Sequence, residues 1–214
     1  MSHAPQTKYE LLYFPIHGRA EVLRLTFALA QVEFVDVAVT DWATLKPQTP
    51  LGQVPVLKET TGDTVFQIPQ SAAILRHLGR VFQLYGANER EHTIVDYVLE
   101  SAIDWRSKFT PVAYARMYGT AQQVVDKYHN EDLPHHLRLM NLLLASSAKT
   151  GSFFAGNTPT IADIAVWDCL DAHLSKNPKV LENHAPLHDF YERVKALPGV
   201  AAHLSRRRPS EHAS

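Results

Sequence analysis

Between Tyr9 and Thr40 the apolar pattern changes from strand to helix and back to strand, and that order leaves the chain few ways to fold. Tyr9 to Phe14 (YELLYF) is short and rich in β-formers, the mark of a strand. From Arg19 to Gln31, Val22, Leu25, Thr26 and Leu29 recur on one helical face, Leu23, Phe27 and Ala30 widen it, and Glu21 and Arg24 can face water. Glu33 to Thr40 (EFVDVAVT) reads as a second strand. Strand, helix and strand within about thirty residues form a βαβ crossover, which implies parallel pairing.

The rhythm then changes. Val54 to Lys58 reads as a short strand, Thr61-Gly62-Asp63 as a hairpin turn and Val65 to Ile68 as the antiparallel partner. Ser71 is a good N-cap ahead of an Ala-Ala-Ile-Leu run, predicting a helix to about Phe82. After LYGANERE the strand signals vanish. Val95, Val98, Ala102, Trp105 and Phe109 form an apolar stripe on a long helix, and Asp132 to Ser147 reads as another. Thr160 and Asp163 make a capping box before residues apolar almost all round, which predicts a helix in the middle of its domain. A last helix is expected from Leu187 to Ala196, and the basic Ser205 to Ser210 segment reads as a solvated tail. The expected organisation is an α/β domain over 1–82, a linker over 83–88 and an all-helical domain over 89–214.

Charge and composition narrow the function. Twenty-one basic residues against twenty-two acidic show no cationic excess for nucleic-acid phosphates. No apolar stretch reaches the length of a membrane span, and the opening MSHAPQTKYELL lacks a secretion-signal layout, so a cytoplasmic location is expected. The single cysteine, Cys169, can form no internal disulfide and no CxxC pair; on an apolar helix it reads as a buried structural thiol. Twelve histidines invite a metal site, but His135 and His136 diverge on their helix and His184 and His188 enclose Pro186, so none is expected.

YFPIHGRAEVLRL (Tyr13 to Leu25), Asp41-Trp42 with Lys46, GQVPVL (Gly52 to Leu57), QSAAILRHL (Gln70 to Leu78) and TPTIAD (Thr158 to Asp163), in this order, carry a resemblance to the cytosolic glutathione transferases over nearly the whole chain. The Tyr-Phe opening, the Gly-Arg-Ala-Glu and the Asp-Trp pair resemble the sigma class, which includes glutathione-dependent prostaglandin D synthases; mu and pi are near relatives. The resemblance implies a thioredoxin-like first domain with a mixed four-stranded sheet, glutathione as co-substrate, no required cofactor and a homodimer. Gln70 and Ser71 would grip the γ-glutamyl carboxylate, with helix-start amides favouring the anion. Val54, before a Pro55 that resembles the family's cis-proline, would pair its main chain with the cysteinyl unit, flanked by Gly52 and Gln53. Trp42 and Lys46 would hold the glycine end, Arg19 would support Tyr13, and Asp104 would reach the ligand of the partner subunit. An electrophile pocket is implied beside Phe14, the face from Trp105 to Ala113 and the C-terminal tail. Where prostaglandin synthases of this class have metal-binding aspartates near Asp104, this chain has Glu100 and Ile103. Leu51 stands where some classes place an aromatic key for the partner subunit.

Tyr13 also has a direct physical rationale. A free thiol, with a pKa of ~8.5, is mostly protonated at neutral pH, yet only the thiolate attacks electrophiles. A hydroxyl donor and a helix's positive end favour the ionised sulfur, and both are available where the first strand gives way to the helix. The leading expectation is a transferase of detoxification type that conjugates glutathione to hydrophobic electrophiles. A glutathione-dependent isomerase of prostaglandin type and a weakly active, crystallin-like binding relative are the alternatives.

Overall fold

The computed structural model of the chain describes residues 6–147 and 151–207. Along it run β1 (Lys8–Tyr13), α1 (Glu21–Ala30), β2 (Val35–Ala38), a short α2 (Trp42–Leu45), β3 (Val56–Thr61), β4 (Thr64–Pro69) and α3 (Ser71–Val81). Helices α4 (Glu89–Ala113), α5 (Ala115–Tyr118), α6 (Gln122–Lys127), α7 (Leu133–Ser147), α8 (Ile161–Leu174), α9 (Ala185–Lys195) and α10 (Pro198–Arg206) follow. They form two compact units, one comprising the chain up to Phe82 together with the segment from Pro198 onward, the other Gln83–Leu197. No helix among the described residues is long and apolar enough to cross a membrane.

Unit 1 is built on a mixed four-stranded sheet in the order β2-β1-β3-β4. The βαβ crossover places β1 and β2 parallel, with Tyr13 opposite Ala38, and the other pairings are antiparallel. Leu23, Leu25 and Phe27 of α1 are fully buried. The helix stops where Gln31 turns left-handed, with φ 54°. Phe27 stacks on Phe34 with ring centres 4.4 Å apart and meets Tyr9 and Phe82 edge-on. Tyr9 is thus a packing residue, as its distance from the mouth of the strand suggests; burial, and secondarily the Glu59 charge, raises its phenol pKa.

The C-terminal segment departs from expectation. Instead of joining the helical domain, Pro198–Arg206 is a helix that packs on α1; of the expected basic tail, Ser205 and Arg206 are exposed, and residues 208–210 lie outside the described residues. Gly199 permits this approach: a Cβ there would stand 1.9 Å from the carbonyl oxygen of Ala28. The contact also corrects the expectation that Glu21 and Arg24 face water, since they are 1% and 7% exposed. Glu21 receives Arg24 at 3.3 Å, His203 at 2.9 Å and Arg207 at 3.6 Å. Burial would raise the Glu21 carboxyl, but the His203 hydrogen bond and the charges of His203, His17 and Arg24 outweigh it and hold it at about 2.

In unit 2 the predicted stripe of α4 is the core face: Val95, Val98, Ala102, Trp105 and Phe109 are all buried. Helix α8, apolar almost all round in sequence, is buried from Ile161 through Leu170. Cys169 is buried, and desolvation pushes its thiol up to about 12, so it is inert as a nucleophile. A π-turn over Tyr128–Asp132 leads into α7 and puts the Tyr128 hydroxyl inside the core. There Trp105 Nε1 donates to Tyr128 at 2.9 Å. His173 Nδ1 lies 2.6 Å from the Cys169 carbonyl, which can only accept, so Nδ1 carries the proton and Nε2 accepts from Tyr128 at 2.7 Å.

That relay requires neutral His173, and burial lowers its pKa to about 4. At pH 7 both folded and unfolded chains hold it neutral. As pH falls below the ordinary value of about 6.5 the unfolded state takes up a proton first, so the stabilisation is lost down to pH 4. Asp163 acts oppositely: burial, against hydrogen bonds from Phe154 and Thr160, raises it to about 6. Comparison with His173→Gln isolates the histidine. Urea unfolding is expected to show wild type losing about 3 kcal/mol relative to that variant between pH 6.5 and 4.

Candidate functional site

A cavity of about 360 Å³ in unit 1 is lined by Phe14, Arg19, Trp42, Gly52, Gln53, Val54, Pro55, Gln70 and Ser71. Seven of the ten residues predicted to handle glutathione therefore meet on one cavity. They arrive from the β1–α1 turn, from α2, from the loop before β3 and from the start of α3. Asp41 accepts from the Thr44 amide at 3.1 Å and caps α2, which begins at Trp42. The Trp42 ring stands edge-on to Phe14 with centres 5.5 Å apart. The Val54–Pro55 peptide bond is cis.

Helix α3 begins one residue earlier in its capping than the sequence suggests. Ser71 is the first helical residue and Gln70 occupies the cap, with φ 73° and ψ 114°. A left-handed glutamine is unfavourable, and such backbone persists where the surroundings enforce it, commonly at functional sites. Here β4 runs through Pro69 directly into the helix, so the reversal falls on Gln70. Its Nε2 lies 3.3 Å from Gln53 Oε1, tying two lining side chains together. The opening amides of α3, including that of Ser71, have no partner within the helix and carry its positive end.

Tyr13 and Lys46 adjoin the cavity without lining it. Lys46 is exposed, its Cε 3.6 Å from where a Cβ on Gly52 would stand. Tyr13 is 6% exposed, and its hydroxyl accepts from the main-chain amide of Arg19 at 3.0 Å. Support from Arg19 thus includes a backbone contact, which no side-chain motif reveals. An N–H donated to the phenol oxygen polarises the O–H, making it a better donor. Gly18 closes the other side: it has φ 47°, and a Cβ there would lie 2.5 Å from the Tyr13 hydroxyl and 2.8 Å from its Cε1. Asp104 belongs to unit 2, exposed on α4. Its simplest alternative partners are otherwise engaged, Lys108 with Asp132 at 2.7 Å and Arg106 with Asp168. Trp105 and Phe109, expected beside an electrophile, are buried in the core of unit 2.

A parallel βαβ joined to an antiparallel ββα, with a cavity at the start of α3, defines a thioredoxin-like protein; the helical second unit sets it within a narrower class. Residues 103–207 match the family profile "Glutathione S-transferase, C-terminal domain". A Caenorhabditis elegans protein named "Glutathione S-transferase P" is 36% identical over 200 residues, covering 92% of each chain. The Onchocerca volvulus Pi-class glutathione S-transferase structure is 34% identical with a TM-score of 0.83, covering 94% of this chain and 93% of that one. A Fasciola hepatica sigma class structure is 27% identical with a TM-score of 0.86, covering 95% and 98%. The chain belongs to the glutathione S-transferase family.

Proposed function

We propose that this protein conjugates the thiolate of reduced glutathione to hydrophobic electrophiles, with Tyr13 donating its hydroxyl hydrogen bond to the sulfur. The observation that carries the reading is the Arg19 amide on the Tyr13 hydroxyl, 3.0 Å away, beside a cavity ending at the α3 amides. The γ-glutamyl carboxylate sits at Ser71 and Gln70, where hydroxyl, amides and helix dipole favour an anion. The Val54 main chain pairs with the cysteinyl unit as an added strand would, flanked by Gly52 and Gln53. Trp42 and Lys46 hold the glycine end, with Lys46 opposite its carboxylate, and Arg19 supports Tyr13. Tyr13 acts as a donor and not as a base: the sulfur is already ionised, and the hydroxyl lowers the energy of that charge. The thiolate forms an S–C bond to the electrophile, and a leaving group such as halide departs with its electron pair.

Asp104 completes the site from a second copy of the chain, reaching the glutamyl amine of its partner's ligand, so the active form is a homodimer. The sigma-like reading rests on Tyr13-Phe14 and Gly18-Arg19-Ala20-Glu21, while the nematode pi-type relative has the higher identity of 36%. Cytoplasmic detoxification belongs to the same proposal.

Conjugation of a chromogenic aryl halide tests the activity. Ser71→Ala is expected to raise KM for glutathione about tenfold, the loss of one charge-assisted hydrogen bond, with little change in KM for the halide. An unchanged glutathione KM in Asp104→Asn would remove the cross-subunit role. Gly18→Ala is expected to fold yet lose about tenfold or more in kcat, because the new methyl group must push the Tyr13 hydroxyl aside. A kcat equal to wild type would show that the hydroxyl's position is immaterial.

A further inference from the structure

The docking of α10 on α1 sets more than the packing of unit 1. It brings His203 to Glu21, in the first turn of α1, whose carboxylate accepts from His203 Nε2 at 2.9 Å. A carboxylate held at about 2 is ionised at neutral pH and can only accept, so the contact needs an N–H on Nε2 and no charge on the ring. On its other oxygen Glu21 accepts from Arg24 Nη1 at 3.3 Å. The same Nη1 donates to the main-chain carbonyls of Ile16 at 3.0 Å and His17 at 3.4 Å, while Nε and Nη2 go to Asp36 of β2 at 2.8 Å and 3.3 Å. Those two carbonyls belong to the turn that serves Tyr13. The His17 carbonyl also accepts from the amides of Ala20 at 3.2 Å and Glu21 at 3.0 Å, so it is the point where the turn joins α1. Gly18 and Arg19 follow directly, and the Arg19 amide is the donor 3.0 Å from the Tyr13 hydroxyl. A run of hydrogen bonds therefore leads from α10 through Glu21 and Arg24, both buried, to the turn and its hydroxyl.

We propose that His203 is a positioning residue for the conjugation: acting through Glu21 and Arg24, it fixes the turn that lays the Arg19 amide on the Tyr13 hydroxyl. The inference rests on the transferase reading and extends it to a residue of the C-terminal helix. A buried ion network adds little net stability over apolar packing of the same volume. What it adds here is geometry, because the rigid fork of a guanidinium fixes the direction of every acceptor around it. Loss of the His203 donor deprives the buried Glu21 carboxylate of its contact at 2.9 Å. The carboxylate and Arg24 then move to recover a partner, and the Ile16 and His17 carbonyls move with them. A small displacement of a hydroxyl that must point at a sulfur weakens its hold on that charge.

His203 also borders a second cavity, of about 340 Å³, that includes Phe14, so the test reads the sulfur with no electrophile present. The ultraviolet absorbance of the glutathione thiolate is titrated on wild type, His203→Leu and His203→Gln, each saturated with glutathione. Leucine fills the volume and has no donor, whereas the glutamine amide nitrogen stands where Nε2 does and can donate to Glu21. His203→Leu is expected to raise the pH of ionisation by about half a unit, a threefold loss of thiolate stabilisation, and His203→Gln is expected to return it to the wild-type value. Urea unfolding of the same three proteins separates position from stability: a residue that serves only stability lowers the midpoint and leaves the ionisation in place. Coincident titrations of wild type and His203→Leu overturn the inference, as do equal displacements in the leucine and glutamine variants. The two readings fail in different ways. If the thiol bound to wild type ionises near the ordinary value of ~8.5, the Tyr13 reading fails and this inference falls with it. If it ionises well below that value and His203→Leu does not move it, the inference alone is refuted.

Discussion

Tyr13→Phe is expected to lower kcat and kcat/KM for aryl halide conjugation together, about a hundredfold, while the protein stays folded and its KM for glutathione changes little. The two constants fall in parallel because the lost interaction is made to the sulfur charge on the way to the transition state and not to the peptide backbone of glutathione. Removing the oxygen also strips the Arg19 amide of its acceptor at 3.0 Å. Phenylalanine preserves the ring that packs beside Phe14, 5.6 Å between centres, so the loss is confined to the hydroxyl. Steady-state kinetics with each substrate varied check this, and equal turnover by the two proteins would remove Tyr13 from the mechanism.

The largest stability effect is expected in unit 2. Asp163 is fully buried at the start of α8 and accepts from the amides of Phe154 at 3.0 Å and Thr160 at 2.8 Å and from the Thr160 hydroxyl at 2.8 Å. Asp163→Ala leaves those donors buried without their acceptor and undoes the capping box of the central helix of unit 2. Each orphaned donor costs about 1–3 kcal/mol, and partial relaxation puts the total loss at about 3–5 kcal/mol. That is a large part of the stability of an ordinary domain. Urea unfolding followed by tryptophan fluorescence measures it, since Trp105 and Trp167 are both buried in this unit. A loss below about 1 kcal/mol would mean that water or a rearranged loop satisfies the amides.

These two residues were legible in the sequence for different reasons. Asp163 belongs to a local pattern, Thr-x-x-Asp ahead of an apolar run, and local hydrogen bonds need no long-range contact to be inferred. The βαβ order likewise follows from periodicities of two and 3.6 residues. Tyr13 was suggested by its place at the end of β1, but its ligand became evident only through the order of motifs from Trp42 to Ser71. What escaped sequence reading depends on contacts between distant residues. His203 and Glu21 are 182 positions apart, and nothing in the local pattern after Leu197 shows that Gly199 stands against Ala28. The left-handed Gln70 escaped because serine is the better intrinsic cap, whereas the end of β4 puts the reversal one residue earlier. The Arg19 amide on Tyr13 escaped because a main-chain donor carries no side-chain signature.

The positioning of Tyr13 also shows how the pieces of unit 1 cooperate. Gly18 lets the turn pass close over the ring, the turn presents the Arg19 amide to the hydroxyl, and α1 beyond it is anchored through Arg24 to Ile16, Glu21 and Asp36. The hydroxyl is therefore held on several sides before any ligand arrives. Such preorganisation is what makes one hydrogen bond count for so much.

The most direct measurement is the titration of the bound thiol itself. Glutathione is added to wild type and to Tyr13→Phe, and the ultraviolet absorbance of the thiolate is followed against pH. If Tyr13 stabilises the sulfur charge, the thiol bound to wild type ionises well below the ordinary value of ~8.5, and in the variant it returns most of the way toward that value. Titration at the same pH in both proteins, with glutathione bound to each, would contradict it.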